Sequence, residues 1–137
     1  MKNKKIKPLK NDNNCKRCDI NSFSVADECY SDSSKLEMYR KQRDEMGFDD
    51  TETWHLDKTF TLFLIPRLKR FIQVNNGFPS GETHESYVEK LRFIIKSFEE
   101  YYLDDNIETS LEVEKERLQN AHKAVELLSK LWFCLWW

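Results

Sequence analysis

Residues 87–102 read YVEKLRFIIKSFEEYY, and their spacing decides the fold class. Tyr87, Leu91, Ile94, Ile95, Phe98, Tyr101 and Tyr102 recur three or four residues apart, the period of one helix face. The pattern predicts an amphipathic helix that ends near LDDN at 103–106. Only three glycines and three prolines interrupt the whole chain, too few for the many turns of a β-sandwich or barrel.

Downstream, a last helix is expected from about Thr109 or Ser110. Leu111, Leu118, Val125 and Trp132 fall every seven residues, as do Ala121, Leu128 and Leu135. Two such stripes suit packing in an antiparallel bundle or a coiled coil. Upstream, NNGFPSG (75–81) places two glycines and a proline within seven residues and reads as a loop.

Before that loop stands ETWHLDKTFTLFLIPRLKRF (52–71). Asp49, Asp50 and Thr51 offer N-cap oxygens, and Glu52 suits the positive end of the helix dipole. Leu56, Phe60, Phe63 and Leu64 repeat at helical spacing, and Leu68, Phe71 and Ile72 continue the stripe. Pro66 removes the hydrogen bond to residue 62, so a kink or break is expected near Ile65. A short first helix is expected from Ser34, with Ser34 and Glu37 as a capping box, Leu36, Tyr39 and Met46 as a weak stripe, and Gly47 as the C-cap.

The 137 residues are enough for one domain, with 39% hydrophobic and 34% charged residues. The net charge of −2 divides unevenly: residues 1–20 hold seven Lys or Arg against two Asp. The expected organisation is a disordered, flexible basic arm over 1–33 and an all-α domain of three to four helices over 34–137. No run of apolar residues is long enough for a membrane span, and the N-terminal stretch lacks a secretory signal's apolar segment. A cytoplasmic location with reduced cysteines is therefore expected.

Five places invite a chemical reading. Cys15 and Cys18 have the spacing of half a zinc site, to which Cys29, and more distantly His55 or Cys134, would add ligands; reduced thiols without metal are the plainer expectation. Glu52 and His55 match the Glu-x-x-His pair of di-metal bundles, but the second copy, Gln119 to His122, has a glutamine for the carboxylate. Asp57, one turn from Trp54 and Phe60, is expected in a structural ion pair rather than in catalysis. Arg67, Lys69 and Arg70 suit phosphate contact, yet Leu68 and Phe71 between them belong to the core stripe. Trp132, Phe133, Trp136 and Trp137 crowd the C-terminus in directions that one stripe cannot bury, so Phe133, Trp136 and Trp137 are candidate interface residues. His84 reads as an exposed residue at a helix start. No cofactor is implied.

The series ETWHLD (52–57), IPRLKRF (65–71), NNGFP (75–79) and LWW (135–137) resembles a group of small proteins encoded by tailed bacteriophages. The likeness covers 48–137, with Glu52, Trp54, His55, Asp57, Arg67, Lys69 and Arg70 in the shared signature segment. It implies a setting, the cytoplasm of an infected bacterium, and no site. The expectation is a non-enzymatic accessory protein that binds a protein partner, from host or phage, or forms a homo-oligomer. The alternatives are an acid/base or metal enzyme built on 52–57 and a nucleic-acid-binding protein using the basic arm.

Overall fold

The computed structural model describes residues 24–26, 33–104 and 109–136. Among these residues there are four α-helices and no strand, the all-α class expected from the sequence. The helices are α1 (Leu36–Met46), α2 (Leu56–Val74), α3 (His84–Phe98) and α4 (Leu111–Leu131). The chain divides into two compact units, one ending at Leu56 and one starting at Asp57.

The first unit is organised around buried polar groups. α1 follows a 3-10 turn, Ser33–Lys35, and its cap position, Lys35, makes no side-chain cap bond. The box expected from Ser34 and Glu37 is therefore not what starts this helix. Ser34 already lies inside a turn, whereas a capping side chain projects from extended backbone. Gly47 ends α1 as expected, at φ 83°, donating its N–H to the Arg43 carbonyl at 2.9 Å. Tyr39 and Arg43 are the buried residues of α1.

A capping box does form six residues beyond Arg43. Asp49 caps the 3-10 turn Asp50–Thr53: its carboxylate accepts from the Thr51 N–H at 2.9 Å, and its own N–H donates to Glu52 Oε2 at 3.0 Å. The Arg43 guanidinium pairs with the other Asp49 oxygen, and both side chains are buried. Ser24 Oγ and the Val25 N–H also donate to Glu52, at 2.8 and 2.6 Å. Within the stretch read as an arm, Ser24 and Ala26 are thus anchored and buried.

The second unit holds the apolar core. α2 contributes Leu64, Ile65 and Leu68; α3 contributes Tyr87, Leu91, Ile94, Ile95 and Phe98; α4 contributes Ala124, Leu128 and Leu131. Burying each large side chain stabilises by about 1.5–3 kcal/mol. α3 supplies the largest share, as its stripe predicted.

α2 runs through Pro66 without a break. The proline is exposed, and the Arg67 guanidinium donates to the Phe63 carbonyl at 2.8 Å while lying 3.6 Å over the Phe63 ring. That contact lies on the turn that proline disturbs, but the carbonyl deprived of its helical donor is the preceding one, of Leu62. The stripe expected from Leu56 and Phe60 shifts: both are exposed, and burial starts at Thr61 and Leu64. At its end, the Asn75 N–H meets the Phe71 carbonyl at 2.8 Å, and Asn75 Oδ1 accepts from the Gly77 N–H at 2.6 Å, which turns the chain into the expected loop.

α3 begins with a capping box between Thr83 and Ser86, then passes into a π-helical turn, Glu99–Leu103. The wider turn changes the helical register. Tyr102 and Leu103 consequently pack on the core while Tyr101, expected there, is exposed. α4 is capped by Ser110, as expected, and finishes in a 3-10 turn, Trp132–Cys134.

Candidate functional site

Glu52 cannot serve as half of a helical metal pair. It lies in a 3-10 turn before α2, it is buried, and its two oxygens accept from Ser24, Val25 and Asp49. His55 and Trp54 are exposed. A buried carboxylate and an exposed imidazole do not share the single face that an i, i+3 pair requires.

Asp57 is exposed in the first turn of α2, where the helix dipole favours it. The ion pair expected for it is replaced by a neutral partner. Burial pushes the Tyr102 hydroxyl up to about 12, and the neighbouring Asp57 carboxylate, by hydrogen bond and by charge, adds to the rise, with Tyr101 contributing least. Tyr102 therefore stays protonated near neutrality and acts as a donor, not as a base.

The three cations of 66–71 have structural partners. Arg67 covers Phe63, Lys69 pairs with Glu99 at 2.5 Å, and Arg70 donates to Gln73 at 3.1 Å. His84 is exposed at the start of α3, with Nε2 3.2 Å from the Asn75 carbonyl and its ring edge-to-face with Phe78. Glu82 is held below the usual carboxylate range by Lys90, then by the Ser86 hydroxyl. These contacts brace the loop between α2 and α3.

Cys15, Cys18 and Cys29 lie outside the described residues. Cys134 is a half-buried free thiol. Among the described residues no group of three or more His, Cys, Asp or Glu is placed to hold a metal ion. No helix among them is long and apolar enough to cross a membrane.

The C-terminal aromatics stand out instead. Trp132 is 50% exposed, Phe133 87% and Trp136 72%; Trp137 lies outside the described residues. The turn that carries them is fixed from beneath. The Tyr87 hydroxyl donates to the Cys134 carbonyl at 2.7 Å, and Leu135 packs on the core. Burial raises the pKa of that hydroxyl, and the Cys134 thiol's negative form raises it further, so the donor persists through neutral pH.

Along α4 the two seven-residue stripes have opposite fates. Ala121 and Leu128 are buried, together with Ala124 and Leu131. Leu111, Leu118 and Val125 are 60%, 42% and 55% exposed, and Trp132 continues their line. Of the two stripes expected to pack, in a bundle or a coiled coil, only the Ala121 and Leu128 line does so within the chain. Ala121, Ala124, Leu128 and Leu131 form the buried face of α4, and the Leu111, Leu118, Val125 line lies off that face. Sequence reasoning found the aromatic end but not the exposed stripe, because spacing alone does not rank one heptad line above another. No family model, curated protein or solved structure matches the chain.

Proposed function

We propose that this protein is a non-enzymatic binding protein that engages another protein chain through the aromatic end of α4. The observation that carries the proposal is the cluster of exposed Trp132, Phe133 and Trp136 on a turn anchored by Tyr87. Exposed aromatics on a fixed backbone have the character of interface anchors, since a few Trp side chains commonly supply most of a binding energy. The structural contacts of Glu52 and Asp57, and the separation of buried Glu52 from exposed His55, favour binding over chemistry at 52–57. The likeness to small tailed-phage proteins suggests the setting: an accessory protein in the cytoplasm of an infected bacterium, with a host or phage protein as its target.

Affinity capture from infected cells tests this. Wild-type protein should retain a specific partner, and a Phe133→Asp/Trp136→Ser variant with an unchanged helical spectrum should lose it. Equal capture by both would move the binding surface away from this end.

A further inference from the structure

We infer that a second copy of this chain packs antiparallel against the exposed α4 stripe of Leu111, Leu118, Val125 and Trp132. The inference rests on the binding reading and adds a partner to it.

The spacing is the first argument. Four apolar residues recur every seven positions over a stretch of about 30 Å, and all are substantially exposed. A seam of that period matches the same period on another helix, where knobs enter holes at equal intervals. The sequence of residues 1–23 offers no such period: Ile6, Leu9, Ile20 and Phe23 stand at irregular spacing among basic and polar residues. α4 itself does offer one.

Charge sets the direction. The first turn of α4 carries Glu112 and Glu114, and its last turn carries Lys130. Arg117 is already paired with Asp104 at 2.6 Å, which leaves the N-terminal half acidic. Lys130 is likewise paired, with Glu126 at 2.9 Å, so antiparallel pairing sets the acidic half against the half whose remaining charge is Lys123, and it opposes the two helix dipoles. With Leu118 set against the other copy's Val125, Lys115 comes beside the other copy's Glu126 and would join the pair that this carboxylate makes with its own Lys130. The two-fold axis makes each contact twice. A parallel pair would instead set Glu112 and Glu114 beside their own copies, and likewise Lys115 and Glu126.

Light scattering on the full chain after gel filtration tests the arrangement. Wild type should run at twice the 16.5 kDa chain mass, and Leu118→Lys and Val125→Glu should each run at once that mass. Because both positions are exposed, each single variant should keep the wild-type helical spectrum and melt. Combining Leu118→Lys with Val125→Glu sets each introduced ammonium against the other copy's introduced carboxylate, and this double variant should dimerise again. A monomeric wild type overturns the inference, as does a dimer indifferent to Val125→Glu. A double variant that stays monomeric overturns the antiparallel direction. The wider binding reading fails separately, when Phe133→Asp/Trp136→Ser retains the captured partner.

Discussion

Arg43 and Asp49 form an ion pair with both side chains buried, six residues apart around the bend between α1 and the following 3-10 turn. Removing one partner strands the other's charge away from water. Arg43→Met should therefore destabilise the first unit by about 3–5 kcal/mol, while Arg43→Met combined with Asp49→Asn should cost less than the two separate effects combined. Denaturant melts on the four proteins supply the comparison. Additive effects would mean that the pair contributes nothing as a pair.

Glu52→Gln keeps the shape of the side chain but replaces one acceptor oxygen with a donor. One of the N–H or O–H groups of Ser24, Val25 and Asp49 then loses its partner, a loss of about 1–3 kcal/mol. Hydrogen exchange should accelerate at Val25 and Ala26 and stay unchanged in α3. Metal content should not differ between variant and wild type; a stoichiometric metal lost with Glu52→Gln would return the segment to chemistry.

Pro66→Ala should stabilise the protein. The proline sits exposed inside α2, where it lacks a helical N–H, and interior proline costs about 3 kcal/mol relative to alanine. Part of that gain is offset by the freer unfolded chain, so a rise of about 2 kcal/mol, or several degrees in Tm, is expected. An unchanged or lower Tm would show that α2 depends on the disturbed turn that Arg67 covers.

Stability should fall at alkaline pH through Tyr102. Its hydroxyl titrates near 10 when unfolded and at about 12 when folded, so the folded state favours the protonated form. The contribution is complete below pH 10 and is lost as the pH rises from about 10 to about 12. Tyr102→Phe should flatten that part of the stability profile. Parallel slopes for variant and wild type would remove Tyr102 as the source.

The helices were legible in sequence where apolar spacing was strong and local. α3 is the clearest case, and Gly47, Ser110 and the NNGFPSG loop marked ends that caps and turns do mark. The failures share a cause, since each depended on information outside the local pattern. Tyr101 was misplaced because a π-helical turn alters the register that periodicity assumes. The α2 break was expected because Pro66 is a local signal, whereas the burial of Leu64, Ile65 and Leu68 on both sides of it is a tertiary event. The exposure of the Leu111, Leu118, Val125 line was not legible because spacing does not reveal which of two seven-residue lines on α4 is buried. The first unit was the least legible, since Arg43, Asp49 and Glu52 are residues that hydrophobic patterning assigns to the surface. The aromatic end was legible as crowding, and the clamp by Tyr87 beneath it was not.

That clamp has an entropic consequence for recognition. A free chain end carrying Trp and Phe must lose backbone and rotamer freedom on docking, which weakens affinity. With the Cys134 carbonyl held by Tyr87 and Leu135 on the core, the backbone between Trp132 and Leu135 loses its freedom when the domain folds. Phe133 and Trp136 are then offered in a preset arrangement, and association leaves less disorder to remove. Tyr87→Phe would thus weaken partner binding mainly through its entropy, even with every exposed aromatic still in place.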